Sequence, residues 1–123
     1  MKNNLIILLT LFFASVFSIT IDAQVQTLKL TQIPGDFKTK SITVAPGQYE
    51  FDIANEGVKH EVGFVLVPKG QYEAANHIKE AYVKETVATG KSSKTSVVTL
   101  EAGDYEYFCP LNPTAKYPLT VSK

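Results

Sequence analysis

Short runs of alternating apolar and polar residues, separated by turn signals, constrain the fold of this chain more than any other feature. In residues 24–123, apolar side chains recur at every second position, for example at Tyr49, Phe51 and Ile53. This period of two is typical of strands with one buried face, and Gly, Pro, Asn and Asp punctuate the runs. The pattern predicts an all-β sandwich or barrel whose strands are residues 25–32, 41–44, 49–53, 62–67, 95–100, 105–109 and 117–121.

Residues 68–94 interrupt this pattern. Residues 71–84 are good helix formers, and the apolar positions recur at helical spacing at Tyr72, Ala75, Ile78 and Tyr82. We therefore expect a helical insertion near 68–94, with one amphipathic helix laid over the sheets. His77 would project from the side of this helix opposite the apolar stripe and face solvent, away from any site on the sandwich.

The first 23 residues have the layout of a secretory signal peptide. Lys2 supplies an early positive charge, residues 5–17 are apolar or small, and residues 18–23 turn polar. The apolar run is shorter than the roughly 20 residues that span a bilayer, so export is favoured over a transmembrane anchor. We expect cleavage after Ala23, one small domain at 24–123, and a periplasmic or secreted protein without a membrane anchor.

Composition excludes several classes of function. The formal net charge is zero, and the 12 basic residues are all lysines scattered along the chain. Without an arginine fork or a basic cluster, neither nucleic acid nor an anionic membrane surface is an expected partner. No paired-carboxylate motif, phosphate-binding loop or CxxC pair is present, so we do not expect an enzyme. We expect the chain to be a monomer.

The residues able to bind a soft metal are few. The chain has one cysteine, Cys109, two histidines, His60 and His77, and one methionine, Met1, which is lost with the predicted signal peptide. A single cysteine in an exported protein cannot form an internal disulfide. It is therefore a free thiol, half of an intermolecular disulfide, or a metal ligand.

Two segments resemble the two halves of a cupredoxin, the blue copper fold of plastocyanin and azurin. Residues 37–66, FKTKSITVAPGQYEFDIANEGVKHEVGFVL, match a strand ending in Asn-x-Gly followed by a His that opens the next strand. Residues 103–121, GDYEYFCPLNPTAKYPLTV, match a Gly-x-Tyr-x-aromatic strand that delivers a Cys before a ligand-bearing loop. The resemblance implies a cupredoxin-like Greek-key β-sandwich of seven to eight strands.

The same resemblance implies a copper site of altered composition. A type 1 site uses a thiolate, two imidazoles and a weak axial ligand, usually a methionine sulfur. His60 and Cys109 occupy two of these positions, but the second imidazole position holds Asn112, whose main role we expect to be that of a turn residue between Leu111 and Pro113. The axial position falls on Ala115 or Tyr117, neither of which has a thioether. The implied metal ligands are therefore His60 and Cys109, with Asn112 or water completing the plane.

Two hypotheses from different classes follow. In the first, an altered type 1-like site binds copper for electron transfer or copper handling, with a redox or copper-donor protein as partner. In the second, the chain is a metal-free cupredoxin-like scaffold whose insertion or loops bind another protein. The resemblance favours the first hypothesis, and the number of ligands favours the second.

Overall fold

The alternating runs form two sheets within residues 24–123, the part of the chain that the computed structural model describes. The predicted signal peptide, residues 1–23, lies outside the described residues. The strands are β1 (Val25–Ile33), β2 (Asp36–Phe37), β3 (Ile42–Val44), β4 (Gly47–Asn55), β5 (Val65–Pro68), β6 (Ser92–Lys94), β7 (Val98–Leu100), β8 (Gly103–Phe108) and β9 (Tyr117–Val121).

The chain crosses repeatedly between the two sheets. The first sheet has the order β2-β1-β4-β6, with β7 also paired to β4, and the second has the order β3-β9-β8-β5. The β1–β4 and β3–β9 pairs are parallel, and the remaining pairs are antiparallel. Parallel neighbours need long connections, which here run through the opposite sheet. The result is the predicted β-sandwich.

An aromatic cluster fills the space between the sheets. Phe37 is fully buried, and its ring lies edge-on to Phe64, Tyr107 and Tyr117, with centroid distances of 6.2, 5.1 and 6.3 Å. The Tyr107 hydroxyl donates a hydrogen bond to the Thr39 carbonyl at 2.6 Å. Burial raises the pKa of Tyr107 to about 12, so its phenol is neutral at physiological pH. β4 and β8 both turn their buried residues toward this core, as the alternation predicts.

The predicted helix over residues 71–84 is wrong. This stretch has only two short 3₁₀ turns, Ala74–Asn76 and Lys79–Ala81. Between them, the Ile78 N–H donates to the Leu66 carbonyl of edge strand β5 at 2.9 Å. A short helix is marginal without packing, and here a bond to a distant strand replaces the local helical bond. Among residues 24–123, no helix is long and apolar enough to cross a bilayer.

The second half of the insertion lies against the sandwich without forming a helix. Two isolated antiparallel bridges, Val62 with Val87 and Val83 with Thr95, tie its second half to neighbouring segments. The N–H of Val87 donates to the Val62 carbonyl at 2.8 Å, and the reverse bond measures 3.0 Å. The insertion therefore packs beside the short segment that leads into β5.

Candidate functional site

Cys109 lies directly after β8, with its thiol turned into the protein. It is 1% exposed and shares the inward face of β8 with Tyr107. Its Sγ accepts two backbone hydrogen bonds, from Gly63 at 3.4 Å and from Asn112 at 3.3 Å. Its own N–H donates to the Thr114 hydroxyl at 3.1 Å. The loop after β8 and the segment before β5 thus hold the sulfur from two sides.

The Asn112 side chain points toward β1 and the β1–β2 turn. Its Nδ2 donates to Gln32 Oε1 at 3.1 Å and to the Ile33 carbonyl at 2.9 Å. Its Oδ1 accepts the N–H of Gly35 at 2.7 Å. Gly35 has a φ of 72°, a backbone conformation that glycine adopts readily. Both amide hydrogens and the amide oxygen of Asn112 are therefore engaged, and its backbone N–H is the group that reaches the sulfur.

Gln32 connects Asn112 to Gly63, whose backbone N–H donates to the sulfur. Its side chain is fully buried, and its Nε2 donates to the Gly63 carbonyl at 2.7 Å. Gly63, Gln32, Asn112 and Cys109 thus form a closed ring of hydrogen bonds, which we call the thiol ring. Because Gln32 belongs to the first sheet and Cys109 follows a strand of the second, the ring joins the two sheets.

His60 is exposed at the surface of the loop after β4. Its Nδ1 lies 3.0 Å from the Glu61 carbonyl, and its own carbonyl accepts a hydrogen bond from Asn55 Nδ2 at 2.9 Å. The Asn55 side chain also bonds the Val87 carbonyl at 3.0 Å and the Val58 N–H at 2.9 Å. Asn55 therefore fixes the backbone of this loop. It is the Asn of the Asn-x-Gly pattern, which indicated a turn but not these bonds.

His77 lies closer to the Cys109 end of the domain than the helical prediction implied. The residue is half-buried and lines an apolar cleft of about 330 Å³ together with Gly63, Pro110 and Leu111. Both of its ring nitrogens have partners, since Nδ1 lies 2.7 Å from the Tyr82 hydroxyl and Nε2 lies 3.0 Å from the Tyr72 carbonyl. His77 is therefore a fixed wall of this cleft.

These donors do not fit a standard type 1 copper site. Such a site needs two imidazoles and a thiolate in one plane. Within residues 24–123, no three side chains of the His, Cys, Asp and Glu types are close enough together to hold a metal ion. The structure brings Cys109 together with the backbone of Asn112, whereas the ring of His60 contacts the carbonyl of its neighbour.

The comparisons with known proteins agree with the fold. The sequence model of the family described as cupredoxin-like domain matches residues 4–121, whereas no curated protein matches. Auracyanin B is 21% identical, with a TM-score of 0.64 over 85% of this chain and 94% of its own. Auracyanin A, a "blue" copper protein from Chloroflexus aurantiacus, is 15% identical, with a TM-score of 0.62 over 80% of this chain and 100% of its own. An azurin from Methylomonas sp. strain J is 14% identical, with a TM-score of 0.56 over 80% of this chain and 98% of its own. These similarities confirm the predicted cupredoxin β-sandwich.

Proposed function

This chain belongs to the cupredoxin-like domain family, and we propose that it is a metal-free member that acts by binding another protein. One observation carries the proposal. Asn112 occupies the position at which the family resemblance puts the second imidazole, and its whole side chain is used in hydrogen bonds to β1 and the β1–β2 turn. A position that supplies a ligand in a type 1 site supplies a structural brace here.

If Asn112 bound a metal, buried polar groups would be left without their hydrogen-bond partners. The residue is 3% exposed and its partner Gln32 is fully buried. Turning the Asn112 amide toward a metal would leave the Gly35 N–H and Gln32 Oε1 without their partner, at a cost of about 1–3 kcal/mol for each buried polar group. An amide oxygen is also a poor match for a soft metal beside a thiolate. The brace is therefore the favoured role.

A copper site at Cys109 and His60, with Asn112 or water in the plane, is the second candidate. The observation in its favour is the buried sulfur at the end of β8, held by the N–H groups of Gly63 and Asn112. When bound there, copper would supply one-electron redox chemistry or be passed on to another protein. The residues would hold the metal by the Cys109 thiolate and the His60 imidazole.

A copper titration separates the two candidates. We expect residues 24–123, freshly reduced and titrated with Cu(II), to show no thiolate-to-copper charge-transfer band and no tight copper binding. The reason is that the Cys109 thiol is not part of any group of three His, Cys, Asp or Glu side chains among the described residues. An ordinary azurin treated in parallel gives the positive signal.

Three variants make the titration decisive. A band that disappears in Cys109→Ser and His60→Ala but persists in His77→Ala would contradict the metal-free proposal and establish the second candidate. Weak binding that is unchanged in Cys109→Ser would instead place the copper elsewhere on the surface, and the proposal would stand.

Large apolar side chains exposed around the cleft support a protein-binding surface. Leu111 is 50% exposed and Tyr82 is 38% exposed, and both line the cleft beside His77. Exposed apolar residues that cluster around a cleft mark interaction sites more often than scattered ones do. Val97 is 42% exposed and lines a different hollow, with Ile78 and Glu80. It therefore serves as a matched control.

Site-specific cross-linking in the producing cell tests this surface. A photo-reactive residue at position 111 in the full chain is expected to trap one discrete protein, and the same residue at position 97 is not. Equal trapping from both positions would contradict a binding surface at the cleft. The mass of the cross-linked chain also shows whether residues 1–23 have been removed, as the predicted export requires.

A further inference from the structure

Two aromatic rings flank a lysine ammonium on the outer side of β8. The Tyr72 and Phe108 rings are T-shaped, with centroids 6.1 Å apart and an interplanar angle of 87°. The Phe108 ring also packs edge-on against His77, at 6.2 Å and 84°. Lys116 Nζ lies 4.6 Å from the Tyr72 centroid and 5.1 Å from the Phe108 centroid. We call Tyr72 and Phe108 the ring cage.

Hydrogen bonds hold the walls of the ring cage in place. The Tyr72 hydroxyl donates to Glu106 Oε1 at 2.8 Å, and the same oxygen accepts the Gly70 N–H at 2.8 Å. The Glu106 carboxylate raises the pKa of Tyr72 and keeps its phenol neutral. The two ring nitrogens of His77 are fixed by the Tyr82 hydroxyl and the Tyr72 carbonyl. The cage is therefore built before any ligand arrives.

The ring faces are what holds Lys116 in this cage. None of the three ion pairs formed within residues 24–123 includes Lys116, and its Nζ donates none of the side-chain hydrogen bonds found there. A primary ammonium has three N–H donors, which here stay paired with solvent. An exposed cation held by ring faces alone is weakly held and easily displaced.

We propose that the ring cage is a binding site for the quaternary ammonium group of a small molecule, and that Lys116 is an internal occupant which the ligand displaces. A quaternary ammonium has no N–H group that needs an acceptor, so a cage made of ring faces suits it better than it suits a lysine. The carboxylate of Glu106, bonded to the hydroxyl of Tyr72, adds a negative charge close to the cage. This site does not depend on the state of Cys109 or on the proposed protein-binding function.

The test uses tetramethylammonium chloride as the probe. Residues 24–123 with ¹³C-labelled Tyr and Phe are titrated and followed by aromatic NMR, with sodium chloride matching the ionic strength. We expect saturable shifts of the Tyr72 and Phe108 signals in the millimolar range. Lys116→Ala removes the internal occupant and should tighten binding about three- to fivefold, while Tyr72→Leu should weaken it by a similar factor.

Two further lysine variants test whether tighter binding comes from emptying the cage or only from losing a positive charge. Lys116→Met removes the same charge but keeps an unbranched chain over the rings, and Lys69→Ala removes a charge from the exposed β5–insertion turn. Neither variant is expected to tighten binding. Equal tightening in all three lysine variants would show a non-specific charge effect and overturn the proposal, as would shifts in Lys116→Ala that never saturate.

A vesicle experiment distinguishes a free solute from a lipid headgroup that carries the same ammonium. We expect free choline to shift the Tyr72 signal as tetramethylammonium does, and phosphatidylcholine vesicles not to sediment the protein. Sedimentation that Tyr72→Leu abolishes would assign the site to a membrane surface and overturn the small-molecule proposal.

Discussion

Replacing Asn112 with alanine should lower the free energy of unfolding of residues 24–123 by about 3–5 kcal/mol, because buried polar groups would lose their partners. The Gly35 N–H would lose its acceptor, and Gln32 Oε1 and the Ile33 carbonyl would lose a donor. Chemical denaturation followed by far-UV circular dichroism measures the change.

Leu111→Ala is the matched control for this experiment. It removes a larger side chain from the same loop, but Leu111 is 50% exposed, so we expect a change within about 0.5 kcal/mol. A loss below about 1 kcal/mol in Asn112→Ala would mean that the amide bonds contribute little in solution. Asn112 would then be available as a metal ligand, and the argument against copper would fail.

Replacing Phe37 with alanine should cost about 3–5 kcal/mol, the usual range for removing a buried aromatic ring. Phe37 is fully buried, and the rings of Phe64, Tyr107 and Tyr117 surround it. These rings come from β8, β9 and the segment before β5, so they cannot all move into the space that the phenyl group leaves. The same denaturation experiment measures the loss.

Two further variants calibrate the Phe37 result. Phe37→Leu keeps most of the apolar volume and should cost clearly less than Phe37→Ala. Val25→Ala, at a position 44% exposed near the start of β1, should change stability by less than about 0.5 kcal/mol. If Phe37→Ala lowered the free energy of unfolding no more than Phe37→Leu does, the aromatic cluster would not be a rigid core.

Alternation along the sequence predicted most of the strands, because a strand with one buried face buries every second residue whatever its partners are. It missed the short strands β2 and β6. Tyr49, Phe51 and Ile53 of β4 are all buried, as their spacing predicts. The insertion could not be predicted in the same way. Apolar residues three or four positions apart also suit a segment of short turns, and the bond from Ile78 to the distant Leu66 carbonyl decided between the two.

The candidate site was predictable only in part. The position of Cys109 on the inward face at the end of β8 follows from the strand pattern. Its partners do not, because Gly63 contributes a backbone N–H and Gln32 acts from the opposite sheet. Neither kind of contact leaves a sequence signal. The ligand roles of His60, Cys109 and Asn112 remain predictions for the copper titration to test.

If the chain is metal-free, as proposed, the thiol ring opposes the building of a standard type 1 copper site by single substitutions. Placing histidine at position 112 would supply an imidazole, but it would also remove the amide that satisfies the buried Gln32 and the Gly35 turn. The cost to folding would therefore come before any gain in metal binding. Changes at positions 112, 32 and 35 would therefore have to occur together. Under the metal-free proposal, the residues that stabilise this end of the sandwich are the same ones that oppose the gain of a copper site by single changes.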